Sequence, residues 1–430
     1  MNYRYARQST GWLYLILAPF VHVVYRLLFR KIYLHNRHGV KPNTPTLIAA
    51  NHPTAFIDPI FFCIFFDPPV FNMTRGDVFR KPLFRKIMES FNMFPVFRKR
   101  DGYQGHDRND EVFEFCQKKL LDRVVINVFV EGEHHLDKRV LPPQKGIARI
   151  AFGAYERSRQ EDLQIVPVGC NYINGALVRD EAKIIVGKPI YIKDYWPLYE
   201  QNPNIAINQL CQEIHTALKS ICYHIDSPED DALAEKLLML WRNDHPANLL
   251  PVVEHQTARF WGEKKVLDHI NSLEPGKKIS LKQRVDDYFN KLDISGLSDE
   301  GLVQLKYGKA DLLLFLIITA PLAFLGFTLS WPLRWFVASI TKRVAKKPEY
   351  YTSIFMGLTL FIGGFYVLGL MITGLFANIS SLVTLAWLLP LLTWLYKFWT
   401  ESLFRWISAK KSEYHPDRKK LLALRAAIWN

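Results

Sequence analysis

The sequence predicts an α/β domain with a mostly parallel sheet, followed by a helical segment and C-terminal transmembrane helices. Three observations carry this expectation. Between residues 32 and 195, short apolar runs alternate with helix-like stretches, the pattern of parallel strands joined by crossover helices. From about 230 to 305 the pattern is amphipathic and helical. From 354 to 396 no side chain is charged, which suits a bilayer better than a soluble core.

Taken in order, residues 11 to 29 form an apolar, aromatic-rich run interrupted by His22 and Arg26. It predicts a retained anchor over 1–35 lying in one leaflet, since no small-residue cleavage site follows it. Strands are expected at 46–50, 68–73, 94–97, 124–130, 164–168 and 183–187, with helices at 56–66, 78–91, 108–121 and 146–158 between them. A helix over 205–225 closes a domain spanning 36–225. The acidic stretch Asp226 to Asp231 marks a linker into a helical spacer or lid, 226–310, broken at Glu274-Pro-Gly276.

The membrane segments are expected over 311–400. Pro321, Pro332 and Arg334 interrupt the run 312–340, which predicts a re-entrant hairpin. Two spans follow, about 354–376 and 379–396, and then a basic tail, 401–430. Lys342, Arg343, Lys346 and Lys347 precede the pair, and Lys397, Arg405, Lys410 and Lys411 follow it, while the turn between has no Lys or Arg. The excess of cations places both flanks on the cytoplasmic side.

Composition narrows the function classes. Net charge is +14, and no Asp or Glu precedes Asp58, whereas Arg4, Arg7, Arg26, Arg30, Lys31, Arg37 and Lys41 all do. Cations around an apolar run favour anionic lipid. No nucleic-acid motif accompanies them, so nucleic acid is not an expected partner. Five scattered cysteines with no C-x-x-C pair argue against a disulfide framework or a structural zinc site.

Four blocks can carry chemistry. The apolar run 47–50 stops at Asn51-His52, and Asp58 follows six residues after His52. An imidazole with a nearby carboxylate is a base with the group that orients it, although a capped surface turn has the same spelling. Phe94-Pro-Val-Phe-Arg98-Lys-Arg-Asp101 leads an apolar run into a guanidinium suited to a phosphate. Val128-Phe-Val-Glu131-Gly132 ends a strand at a carboxylate and a glycine, which could meet a hydroxylated ligand. Lys145-Gly146 then opens a helix whose N-terminus favours an anion. Gln164-Ile-Val-Pro167-Val is an apolar strand that by itself supports no functional claim. The adjacent His134 and His135 lack companions at ligand spacing, so no metal is expected.

In this order the four blocks resemble the membrane-bound glycerolipid acyltransferase family: Asn51-His52 with Asp58, Pro95-Val96-Phe97-Arg98 with Asp101, Phe129-Val130-Glu131-Gly132, and Ile165-Val166-Pro167-Val168. Five residues separate His52 from Asp58, where the commonest family form has four. That spacing is similar to the fungal-type glycerol-3-phosphate and dihydroxyacetone-phosphate acyltransferases. Val130 stands where the family usually has Pro, and Glu133 and His134 stand where it often has small or hydroxyl residues.

The resemblance implies an α/β acyltransferase domain in which His52 is general base and Asp58 orients it. Asn51, Arg98, Glu131, Gly132 and Lys145 would bind substrate, Arg98 taking the acceptor phosphate. The donor would be an acyl-CoA or acyl-acyl-carrier-protein thioester, with no metal or redox cofactor, and the acceptor a phosphorylated glycerol-type alcohol in phospholipid biosynthesis. The chain would be an integral membrane protein in contact with lipid, its active site on the cytoplasmic face. A 1-acylglycerol-3-phosphate acceptor uses the same blocks, and a non-enzymatic membrane protein on a decayed acyltransferase fold is the reading outside this class. Hydrolysis would require a Ser or Cys nucleophile, and no nucleophile elbow is present.

Overall fold

The computed structural model describes residues 12–67, 70–96, 107–248 and 250–429. The chain divides into two compact units. The first comprises Met1–Tyr223, Pro251–Thr257 and Ala345–Met356; the second comprises His224–Leu250, Ala258–Val344 and Gly357–Asn430.

The first unit is built on a nine-stranded sheet. Its strands are β1 (Phe29–His35), β2 (Thr46–Ala50), β3 (Val70–Arg75), β4 (Met93–Val96), β5 (Val125–Phe129), β6 (Gln164–Tyr172), β7 (Asp180–Val186), β8 (Ile190–Tyr191) and β9 (Val253–Glu254). The order is β4-β3-β5-β2-β6-β7-β1-β9, with β8 beside β6. All pairings are parallel except those of β6 with β7 and β8. Around the sheet are α1 (Trp12–Leu28), α2 (Ile57–Phe65), α3 (Pro82–Ser90), α4 (Asp107–Leu121), α5 (Gly146–Ser158) and α6 (Pro203–Ile221). Every residue of β2 and of β6 is buried, which is why these strands read as unbroken apolar runs and not as alternating ones.

Two expectations about this unit are corrected. Residues 29–35 are not the tail of an anchor: they form β1, paired with β7 and β9. Arg30 and Lys31 hide the strand in the sequence, but both are neutralised. Arg30 Nη2 donates to Glu181 Oε1 at 2.6 Å, and Lys31 Nζ donates to Pro251 O at 2.6 Å and pairs with Glu254. A buried charge is tolerated only with such partners. The domain also does not end at 225, because β9 returns to it from residues 253–254. Pro167 sits inside a central strand at the switch between two antiparallel partners, residues 164–165 pairing with 190–191 and 168–172 with 182–186.

The apolar α1 buries Ala18, Val21, Tyr25 and Leu28. Tyr25 Oη donates to Ile57 O at 2.8 Å and its ring meets Phe61 edge-on at 4.8 Å, which fixes α1 to α2. The opposite face exposes Trp12, Leu15, Ile16 and Phe20.

The second unit is helical. Three helices, Ala310–Val344, Pro348–Phe376 and Ser380–Glu413, are long and apolar enough to cross a membrane, the start of the second belonging to the first unit. The expected re-entrant hairpin over 312–340 is instead one continuous helix of 35 residues with Pro321 and Pro332 inside it. Proline breaks such a helix less readily when neighbouring helices shield the freed carbonyls. Gly326 packs directly on the backbone of Leu392, where a methyl group would meet the carbonyl oxygen at 2.2 Å. The expected tail at 401–430 is also structured. Helix Ser380–Glu413 runs into it, and Arg425 of helix Arg418–Ala426 is buried between Asp299 (2.7 Å) and Asp244 (2.9 Å).

Candidate active site

The sheet register brings three strand ends together. β2 lies between β5 and β6, with Ala50 opposite Phe129 on one side and Val168 on the other. Just beyond the carboxyl ends of β2 and β5 stand His52 and Glu131, and Tyr172 ends β6. Sites of parallel sheets gather at this edge.

His52 and Asp58 meet. Nδ1 of His52 lies 2.9 Å from Asp58 Oδ2. Residues 53–56 form the turn into α2, and Asp58 sits in the first turn of that helix, where the helix dipole favours a carboxylate. Asp58 is fully buried, whereas the His52 side chain keeps 16% of its exposure. Asp58 accepts three further hydrogen bonds: from Thr54 N–H (2.9 Å), Thr54 Oγ1 (2.8 Å) and Tyr172 Oη (2.5 Å). Burial and then the Asp58 charge push the Tyr172 phenol well above its usual range, so it stays a donor. With the carboxylate so held, Nδ1 of His52 is the donor nitrogen, and Nε2 is the basic one. The ring stacks on Phe129 with centroids 3.8 Å apart, and the edge-on ring of His134 lies 5.6 Å away.

Among the remaining sequence candidates, Asn51 and Glu131 are engaged by protein neighbours. Asn51 is buried. Its side chain bonds the Cys170 backbone twice, Nδ2 to O at 3.0 Å and Oδ1 from N–H at 2.7 Å, locking the end of β2 to β6. Glu131 is likewise buried and engaged: Oε2 accepts from His52 N–H (3.1 Å) and Oε1 from Leu141 N–H (2.9 Å). It therefore sets the backbone under His52. Gly132 has φ +73°, and a Cβ there would press on Gln144 Cγ at 3.3 Å, so the turn itself needs glycine. Lys145 is exposed immediately before α5. Arg98 and Asp101 lie outside the described residues.

His135 Nε2 stands 3.4 Å from Glu131 Oε2, and that carboxylate raises the imidazole pKa above 6.5 against the effect of burial. The sign follows from linkage: a raised pKa contributes stability in full below 6.5 and loses it as pH climbs through the folded value. His135→Gln is therefore expected to melt lower than the wild type in mildly acidic buffer and to converge with it in alkaline buffer. Parallel melting curves across that range would refute the pairing.

Thr54 and Tyr172 carry no signal in the sequence that marks them as site residues. Tyr172 lies past the apolar run that marked β6, and Thr54 sits in a turn. The sequence marks His134 only as part of a doublet without metal companions, not as a neighbour of His52. Among the described residues no group of three His, Cys, Asp or Glu is disposed to hold a metal ion. Cys170, whose backbone meets Asn51, is buried, and its thiol is pushed well above 9 by burial and by Asp58, which makes it a poor nucleophile.

Residues 31–171 match the family model described as Acyltransferase. Glycerol-3-phosphate O-acyltransferase 2 of Saccharomyces cerevisiae is 28% identical over 207 residues, 48% of this chain and 27% of that protein. Glycerol-3-phosphate O-acyltransferase 1 of the same organism is 26% identical over 139 residues, 31% of this chain and 18% of that protein. The chain thus spans under a third of the length of these curated relatives. Among solved structures, the 1-acyl-sn-glycerophosphate (LPA) acyltransferase, PlsC, from Thermotoga maritima aligns with a TM-score of 0.34 and 16% identity, covering 47% of this chain and 80% of that one.

Proposed function

We propose that this chain, whose residues 31–171 form an acyltransferase-family domain, transfers a fatty acyl group from a thioester to a hydroxyl of glycerol-3-phosphate or dihydroxyacetone phosphate. The observation that carries the proposal is the His52–Asp58 contact of 2.9 Å at the edge of the parallel sheet. The similarity to glycerol-3-phosphate O-acyltransferases supports the choice of acceptor.

His52 Nε2 takes the proton of the acceptor hydroxyl while its oxygen attacks the thioester carbonyl. The new C–O bond forms, the C–S bond breaks, and the proton passes to the departing thiolate. Asp58 balances the imidazolium. The donor is an acyl-CoA or an acyl-acyl-carrier protein; the thioester is already activated, so this route uses neither metal nor redox cofactor. Arg98 binds the acceptor phosphate, aided by Lys145. The exposed apolar face of α1 lies on the bilayer surface, and the cations at 342–347 support a cytoplasmic face for the catalytic unit.

The test offers purified full-length protein in lipid nanodiscs glycerol-3-phosphate, dihydroxyacetone phosphate or the monoacyl phosphate, each with one acyl thioester. Acylation of either of the first two is the expected result. Turnover of the monoacyl phosphate alone would replace the acceptor assignment, and no turnover of any would overturn the activity. Arg98→Ala is expected to raise the acceptor KM at least tenfold, a loss of about 1.4 kcal/mol or more of binding made equally in ground and transition states. A fall in kcat at unchanged KM would contradict that role.

A further inference from the structure

The matched family region stops at residue 171, and the apolar helices lie far beyond it in the chain. Residues 345–356, however, belong to the same compact unit as the dyad. They include the first turns of helix Pro348–Phe376, and three of their side chains reach the walls of the site.

Ser353 Oγ accepts the backbone N–H of Phe56 at 2.9 Å. Phe56 lies in the turn between His52 and Asp58. Its backbone N–H needs a partner, and a buried serine supplies it. Thr352 Oγ1, also buried, donates to Gly175 O at 2.9 Å. Gly175 follows β6 in the left-handed region (φ +58°), and a Cβ there would meet Thr54 Cγ2 at 3.3 Å. Thr54 is the residue that bonds Asp58 twice. Tyr350 completes the set. Its ring meets His134 edge-to-face at 4.8 Å, and His134 meets His52 in the same way.

We infer that the start of helix Pro348–Phe376 is a positioning element of the active site. Tyr350 holds His134 against the His52 ring, while Thr352 and Ser353 hold the two loops that surround Thr54 and Asp58. The segment that leads into the apolar part of the chain thus sets the geometry of the base and its carboxylate. The effect on turnover rests on the proposed acyl transfer; the contact itself does not.

Two experiments on the full-length protein in nanodiscs separate these. Tyr350→Ala removes the ring and should lower kcat by about two- to tenfold, the range an aromatic pair supports, with both KM values within about twofold. Tyr350→Phe keeps the ring and should restore kcat. Wild-type kcat in Tyr350→Ala, or equal impairment of both variants, would overturn the inference. Should Tyr350→Ala not accumulate, Ser353→Ala takes its place: a lowered kcat at unchanged KM supports the inference, and wild-type kcat overturns it. Independently of activity, Ser353→Ala should speed hydrogen–deuterium exchange at the Phe56 amide, whose N–H it leaves without its acceptor. Unchanged exchange there in folded protein would overturn the inference even where acyl transfer is observed. Faster exchange without any acyl transfer would instead sink only the functional reading.

Discussion

His52→Ala is expected to reduce kcat by about 10²–10⁴-fold, the range a positioned general base supplies, while the protein still folds and stays in the membrane. The structure separates chemistry from stability at this position. Removing the imidazole takes one of four donors from Asp58, and Thr54 N–H, Thr54 Oγ1 and Tyr172 Oη remain to satisfy the buried carboxylate. The backbone contacts of residue 52 also survive, since its N–H still reaches Glu131 and its carbonyl still accepts from His135 N–H. What is lost is the imidazole ring, stacked on Phe129 and keeping only 16% of its exposure, so a modest loss of packing accompanies the loss of the base. The measurement is kcat with saturating thioester and acceptor beside a melting temperature. A variant with activity within a few-fold of wild type would end the assignment of His52 as base.

The site and the central strands were legible because their chemistry is local. β2 and β6 are buried on both faces, so their apolar runs mark them, and the His and Glu that follow β2 and β5 announce a functional edge. The supporting contacts were not legible for a physical reason: they join residues far apart in sequence. Tyr172 is separated from Asp58 by 114 positions and Ser353 from Phe56 by 297, and neither tyrosine nor serine carries a signal that names its partner. β1 was lost to the opposite effect. Arg30 and Lys31 look like the flank of an anchor until Glu181 and Glu254, from distant strands, neutralise them. The helix over 310–344 is hidden in the sequence because Pro321 and Pro332 read locally as breakers, whereas a neighbouring helix approaching at Gly326 gives that stretch tertiary support.

Asp58→Asn should combine a catalytic and a structural loss. All four groups that meet Asp58 act as donors, two at each oxygen: Thr54 N–H and His52 Nδ1 at Oδ2, Thr54 Oγ1 and Tyr172 Oη at Oδ1. An amide offers one oxygen and one NH₂, so one side must confront donors with a donor. If the NH₂ faces Oδ2's partners, His52 must accept at Nδ1, its proton moves to Nε2, and the base is blocked. If it faces the hydroxyls, Tyr172 and Thr54 must turn to accept inside a buried site, and the imidazolium loses its counter-charge. Either arrangement is expected to lower kcat by about 10²–10⁴-fold and to cost about 1–3 kcal/mol of stability, the usual penalty of a buried unsatisfied group. Tyr172→Phe removes a single donor and leaves the charge, so its effect on kcat should be several-fold at most. The ordering of the three proteins is the test. Tyr172→Phe falling as far as Asp58→Asn would mean that packing around β6 controls the rate. Asp58→Asn within about tenfold of wild type would show that His52 works without a charged partner, and the 2.9 Å contact would then be a structural turn and no dyad.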